Sequence, residues 1–149
     1  KGQTATLAAI SSTLTQFAFA AQTVTDAGDP NNYAAALVAS NTPVHVMEVV
    51  GNGSTFKSDQ VIPNQAVNMP LAGTEPLARL LGTATIPATA GSYAITRAAI
   101  TRFTEGDHSS ILSPASSAAA TAEMQRQTAT FFLSGGAGLT VFNPAVIKP

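Results

Sequence analysis

Predicted strands alternate with predicted helices along this chain, and this alternation restricts its fold more than any other feature of the sequence. Two segments rich in β-branched and aromatic residues predict strands, at Pro43 to Val50 and at Tyr93 to Phe103. A third, shorter strand is predicted at Leu139 to Phe142. Helical patterns separate all three. Because strands joined through helices form βαβ crossovers, the sequence predicts an α/β fold built on parallel strands.

Local residue patterns also predict where the helices begin and end. Asp29 followed by Pro30 is typical of a helix start, because the Asp side chain accepts a backbone N–H and Pro fits the first turn. Gly82 and the pair Gly135-Gly136 are typical of helix ends, since glycine readily adopts the left-handed conformation. The segment from Thr83 to Gly91 predicts no regular structure. We predict four helices: Thr4 to Val24, Tyr33 to Ala39, Leu77 to Leu81 and Ala118 to Phe132.

The number of predicted strands is small for an independent sheet of this kind, because both faces of a parallel sheet have to be covered. The chain has 149 residues, a length that suggests a single domain. We therefore expect residues 1–149 to be the C-terminal segment of one domain that a separate N-terminal segment completes. The N-terminus, Lys1 to Thr4, has neither an initiator Met nor the apolar core of a signal peptide, so we expect that an upstream segment was removed.

Composition excludes several classes of function. The chain has 7 basic and 8 acidic residues and a net charge of −1, whereas a nucleic-acid binder needs a basic face. It has no Cys, so disulfides, thiol nucleophiles and thiolate metal sites are excluded. No cluster of His and carboxylates has metal-ligand spacing, and we expect neither a metal nor a cofactor. No apolar run approaches the roughly 18 residues of a membrane span.

Two polar loops follow the first two predicted strands, and each contains a residue suited to acid–base chemistry. Ser58 to Asn64 follows the first strand and contains Asp59, while Glu105 to Ser110 follows the second and contains His108. Ligands bind beyond the carboxyl ends of the strands in an open parallel sheet. A serine hydrolase needs a carboxylate that orients an imidazole and an imidazole that transfers the serine proton. We therefore predict that Asp59 and His108 are the acid and the base of such a site.

Six runs along the chain carry a family resemblance: Ala21 to Val24, Gly28 to Ala34, Ser58 to Asn64, Gly106 to Pro114, Thr121 to Gln125 and Phe131-Phe132. They resemble the C-terminal end of the Pla-1/cef-type bacterial extracellular lipases, which are related to surface lysophospholipases of Vibrio. The similarity spans nearly all of this chain, but only the last part of such an enzyme. The resemblance implies an α/β-hydrolase fold, with Asp59 as the triad acid and His108 as the triad base. It also implies ester or lipid substrates and export to the medium or the outer cell surface.

The Gly-x-Ser-x-Gly turn that carries the nucleophile in this fold is missing from the sequence. The run Gly51 to Thr55 has the wrong spacing, and Ser134-Gly135-Gly136 has no glycine at the required position before it. The fold orders its triad as Ser, then Asp, then His, which requires the serine to lie upstream of Lys1. We predict a carboxylic ester hydrolase, a lipase or esterase, whose serine belongs to an N-terminal fragment of the same precursor. The alternatives are an acyltransferase on the same fold, or a non-catalytic secreted binding or structural module.

Other residues compete for the two roles. His45, the only other histidine, lies inside a predicted strand, where we expect a structural role. Glu48 lies in the same strand and is the runner-up for the acid. We expect local structural roles for the three remaining aspartates, which lie near a helix end, at a helix start and beside His108: Asp26, Asp29 and Asp107.

An apolar stripe from Leu7 to Phe17 lies on one face of the first predicted helix. Packing into a core is the favoured interpretation of such a stripe. The alternative is a lid or cap helix within residues 4–40 that contacts acyl chains or a lipid surface.

Overall fold

The computed structural model describes residues 11–17, 19–21, 26–50, 74–106 and 117–149. Residues 11–17 and 19–21 are helical, and Asp26–Gly28 forms a 3₁₀ turn. A second 3₁₀ turn covers Pro144–Val146. The longer helices are α1 (Pro30–Ala39), α2 (Thr74–Leu81) and α3 (Ala118–Leu133). The strands are β1 (Val44–Val49), β2 (Ala84–Thr85), β3 (Gly91–Ala94), β4 (Ala98–Phe103), β5 (Gly138–Val141) and β6 (Ile147–Lys148).

Strand β4 is the centre of the larger sheet. Strand β1 pairs with it in parallel along its whole length, from Val44 opposite Ala98 to Val49 opposite Phe103. Strand β2 pairs with the first half of β4 in parallel, and β6 pairs with its last two residues in the antiparallel direction. Because β1 occupies one edge of β4 throughout, β2 and β6 follow each other along the opposite edge. Strands β3 and β5 form a separate antiparallel pair.

Helices cover both faces of β1 and β4, since alternate side chains of a strand point to opposite faces. On one face, Val46 and Ile100 cluster with Leu81 of α2 and with residues of α1. On the other face, Phe103 clusters with Met124 of α3. The result is a three-layer arrangement, in which α1 and α2 lie on one side of the sheet and α3 lies on the other.

The predicted α/β class is confirmed, and β1 and β4 are parallel as predicted. The sheet is nevertheless mixed, because β6 joins it in the antiparallel direction. The single strand predicted at Tyr93 to Phe103 is wrong: the chain bends at Thr96 and Arg97 and divides into β3 and β4. The two halves enter different sheets, because β3 pairs with β5 whereas β4 pairs with β1, β2 and β6. The segment predicted to be irregular contains β2.

The predicted start at Asp29-Pro30 and the predicted ends at Gly82 and Gly135-Gly136 are confirmed by their backbone geometry, whereas the helix predicted from Leu77 begins at Thr74. The side chain of Asp29 accepts a hydrogen bond from the backbone N–H of Asn31 at 2.9 Å, and Pro30 is the first residue of α1. Gly82 ends α2 with a φ of 61°. Gly136, with a φ of 82°, follows α3, and a Cβ at this position would lie 2.5 Å from the Cβ of Pro43. Only glycine fits there, for both reasons.

The apolar stripe of the first predicted helix is not packed into the core where the structure describes it. Leu14 is 62% exposed and Phe17 is 72% exposed. This chain alone does not bury these two side chains, so core packing against a further segment stays a prediction, while Leu7 and Ile10 lie outside the described residues. Within the described ranges, no helix combines the length and the apolar character that crossing a membrane requires.

Candidate functional site

The carboxyl ends of β1 and β4 lie side by side. Val49 is the register partner of Phe103, and the backbone N–H of Val50 donates to the carbonyl oxygen of Phe103 at 2.8 Å. The chain therefore leaves both strands at the same end of the sheet, where their carboxyl ends lie. Open parallel sheets bind ligands at this carboxyl end of the strands. The two segments that follow are the ones that contain Asp59 and His108.

Asp59 and His108 themselves lie outside the described residues, and so does Asp107. Their assignment as triad acid and base therefore stays a prediction. The structure describes the residues that flank the two segments. These are Val50 and Thr74 for the first segment, and Gly106 and Ser117 for the second.

An ion cluster of Glu48, Glu75 and Arg102 lies next to the carboxyl ends of β1 and β4. Glu48 and Arg102 are register partners, each one residue before the last residue of its strand. The Nε of Arg102 donates to Oε1 of Glu48 at 3.0 Å and to Oε1 of Glu75 at 2.8 Å. The Nη2 of Arg102 donates to the second carboxylate oxygen of Glu75 at 3.2 Å, and Nη1 donates to the hydroxyl of Thr85 at 3.3 Å. One guanidinium thus joins β1, β2 and the first turn of α2 to β4.

The two carboxyl groups of this cluster have opposite pKa shifts. Burial raises the pKa of Glu48 to about 8, and a hydrogen bond with Glu75 and the charge of Glu75 add to this effect. The hydrogen bond from Arg102 lowers the pKa of Glu75 to about 2. Oε2 of Glu48 is buried and has no hydrogen-bond partner among the described residues. The guanidinium of Arg102 therefore favours the ionised form of Glu75, whereas burial disfavours the ionised form of Glu48.

A second polar network lies on the other face of the sheet, the face that α3 covers. The carboxylate of Glu123, which is fully buried, accepts hydrogen bonds from the backbone N–H groups of Phe142 and Asn143 at 3.1 and 3.0 Å. It also accepts one from Nε2 of Gln127 at 3.0 Å. The amide oxygen of Gln127 then accepts from the hydroxyl of Thr101 at 2.8 Å. This chain of contacts joins α3 to β4 and to the segment after β5.

His45 lies at the end of this second network. Its Nε2 is 3.0 Å from the hydroxyl oxygen of Thr101, whose single proton is donated to Gln127. Nε2 of His45 must therefore be the donor, which defines the tautomer. Burial lowers the pKa of His45 to about 4, and the ring of Phe131 lies 5.8 Å away between centroids. These contacts favour the structural role expected for His45.

The ion cluster bears on the choice of acid as well. A triad acid has to be ionised to stabilise the imidazolium. Burial raises the pKa of Glu48 and its side chain contacts Arg102, so its environment disfavours that role. Asp29 is the cap of α1, as expected, and Asp26 lies in the 3₁₀ turn before it.

A hydrogen bond also joins two residues that flank the segment after β4, Glu105 and Ser117. The hydroxyl of Ser117 donates to Oε2 of Glu105 at 2.9 Å and accepts from the backbone N–H of Ala120 at 3.1 Å, as the N-cap of α3. Glu105 precedes residues 107–116 and Ser117 follows them. One hydrogen bond thus joins the two ends of the segment that contains His108.

Sequence reasoning missed six members of these networks: Glu75, Thr85, Thr101, Arg102, Glu123 and Gln127. A signal for one pair was present, because Glu48 and Arg102 are charged residues inside two predicted strands that are mostly apolar. Charges in such positions indicate a partner on the neighbouring strand. Glu123 and Gln127 are four residues apart on one helix, which also places them side by side.

The described residues contain no group of three or more His, Cys, Asp or Glu side chains that could hold a metal ion. No family model, no curated protein and no solved structure matches this chain.

Proposed function

We propose that this chain is the C-terminal part of an α/β-hydrolase domain and that the complete domain is a carboxylic ester hydrolase of the lipase or esterase type. Asp59 is the acid and His108 the base of a Ser-His-Asp triad. The serine belongs to an N-terminal segment of the same precursor. The observation that supports this most directly is the position of β1 and β4, whose neighbouring carboxyl ends begin the two segments that contain Asp59 and His108.

The position of β1 at the edge of the described sheet supports the existence of an N-terminal partner. Among the described strands, only β4 pairs with β1, although Val46, Glu48 and Val49 of β1 are all buried. The edge strand of a sheet is a template for pairing with a further strand. A strand from the N-terminal segment would occupy this edge and bring its own loops to the same end of the sheet.

The mechanism assigned to the complete site is acyl transfer followed by hydrolysis. The serine hydroxyl attacks the ester carbonyl while His108 takes its proton, and His108 then returns the proton to the leaving alcohol. Asp59 holds the His108 ring in the required tautomer. Water, activated by His108, releases the acid. Donors for the oxyanion come from backbone N–H groups of the N-terminal segment.

Lipid-like esters are the substrate class that we propose, and the outer cell surface or the medium is the location. The substrate class rests on the family resemblance of the runs from Ser58 to Asn64 and from Gly106 to Pro114. An acyltransferase would share the acyl-enzyme and differ only in using an alcohol in place of water.

The test is labelling of the protein, together with its serine-bearing segment, by a fluorophosphonate that reacts with activated serines. We expect His108→Ala to abolish labelling and Asp59→Asn to slow it by about 10³-fold or more. The matched control is His45→Gln, which changes the other histidine and should leave labelling unchanged. Full labelling of the His108→Ala variant would remove His108 from the mechanism. Absence of any labelled serine in the wild type would favour a non-catalytic module.

A further inference from the structure

A cavity of about 330 Å³ lies at the amino end of β4. It is lined by Gly82, which follows α2, by both residues of β2, and by the bend at Thr96 and Arg97 between β3 and β4. Its volume is at the lower end of the range of cavities that hold small-molecule ligands. All of the lining residues belong to the described part of the chain, so the cavity can be assessed as a binding site from the structure itself.

The charge in this cavity comes from Arg97. This half-buried residue is the only charged one in the lining, and within the described ranges no hydrogen bond or ion pair joins its guanidinium to another group. Arg102, on the same strand, instead donates to two carboxyl groups. Because a guanidinium has only N–H donors, Arg97 offers unused donors to an anion that enters the cavity.

The end of α2 accounts for the position of this unpaired cation. A Cβ at Gly82 would lie 3.0 Å from Nη2 of Arg97, so the guanidinium lies beside the C-terminal end of the helix. A helix C-terminus carries a partial negative charge of about half an elementary charge, which attracts a cation. Since this partial charge is smaller than that of Arg97, the cavity keeps a net positive charge.

The rest of the lining is largely apolar. Ile86 and Ile95, which are buried in the core, contribute to it together with Pro87 and Ala94. One cation beside an apolar surface suits a ligand that has one negative charge and an apolar part. A phosphate dianion would bring more charge than Arg97 balances and would leave the apolar lining uncovered.

We propose that this cavity binds a monocarboxylate with a short apolar chain, whose carboxylate accepts hydrogen bonds from the guanidinium of Arg97. A carboxylate matches the paired N–H groups of a guanidinium, which can donate to both of its oxygens. The inference does not depend on the proposed function, because every residue that it uses lines the cavity at the amino end of β4.

The experiment titrates hexanoate into the complete protein, labelled with carbon-13 at the isoleucine methyl groups, and follows Ile86 and Ile95 by NMR. We expect saturable shifts of both signals with a Kd of about 1 mM, as for other ligands of this size. Hexanamide, which has the same chain and no charge, should bind about 10-fold more weakly or worse, because it loses hydrogen bonds to a charged acceptor. Acetate should also bind about 10-fold more weakly, because it leaves the apolar lining uncovered.

Two variants test the two parts of the cavity. Arg97→Gln should weaken hexanoate binding by about 10-fold or more. The matched control is Arg126→Gln, which removes the same charge from an exposed arginine over the ring of Phe142, outside the cavity, and should leave Kd within about twofold. Ala94→Leu adds bulk to the lining from an exposed position and should weaken binding without a change of charge, so it serves as the test if Arg97→Gln fails to fold.

Several results would overturn the proposal. Absence of saturable shifts at Ile86 and Ile95 would remove the site, and equal affinity of wild type and Arg97→Gln would remove the role of the guanidinium. Equal binding of hexanamide and hexanoate would show that the carboxylate is not recognised. Tighter binding of inorganic phosphate than of hexanoate would overturn the choice of a monocarboxylate.

Discussion

The Glu48→Gln substitution tests the charge state of the ion cluster through the pH dependence of stability. The amide keeps the shape of the carboxyl group and its contact with Arg102, but it cannot lose a proton. The pKa of Glu48 is raised from an ordinary 4.5 to about 8 in the folded protein, chiefly by burial. Between these two values the folded chain holds one proton that the unfolded chain has lost.

The sign and the size of the effect follow from proton linkage. The contribution of protonated Glu48 to the free energy of unfolding is fully present below pH 4.5 and is lost as pH rises towards about 8. One proton corresponds to at most about 1.4 kcal/mol per pH unit, or about 4 kcal/mol from pH 5 to pH 8. Because solvent reaches Arg102 and screens the cluster, we expect about half of this ceiling, close to 2 kcal/mol. The lowered pKa of Glu75 acts only below pH 4.5, outside this interval.

The assay is urea unfolding followed by circular dichroism at several pH values from 5 to 8. We expect the free energy of unfolding of the two proteins to be similar at pH 5, and the Glu48→Gln variant to become more stable than wild type by about 2 kcal/mol at pH 8. Glu105→Gln, which changes an exposed carboxyl group, is the matched control and should follow wild type. Parallel curves for wild type and Glu48→Gln across the interval would refute a proton on Glu48.

Two further substitutions test the packing. Glu123→Ala should lower the free energy of unfolding by about 3 kcal/mol or more, because it leaves the N–H groups of Phe142 and Asn143 and the amide of Gln127 without their buried acceptor; a loss below about 1 kcal/mol in urea unfolding would contradict this. Gly136→Ala should cost about 2 to 3 kcal/mol, because its Cβ would meet Pro43 at 2.5 Å in a left-handed backbone conformation. Gly135→Ala, with a similar φ and open space around it, should cost only about 1 kcal/mol, and equal costs at the two positions would show that the contact with Pro43 is unimportant.

Patterns in the sequence predicted the features of the fold that depend on neighbours in the chain. The start of α1 at Asp29-Pro30 and the end of α2 at Gly82 follow from residues that act on the adjacent turn, so they are visible without any tertiary contact. The alternation of strands and helices likewise predicted the α/β class and the parallel pairing of β1 with β4. That pairing is also what allowed a candidate site to be placed at the shared carboxyl end of two strands.

The tertiary structure alone decided which elements face one another. The division of the predicted second strand at Thr96 and Arg97 arises because its two halves belong to two different sheets. Arg102 meets Glu75 and Glu48 across 27 and 54 residues of chain, a distance over which periodicity carries no information. The sequence pattern also left open the exposure of Leu14 and Phe17. A pattern of apolar residues defines a helix face, but the burial of that face depends on what packs against it.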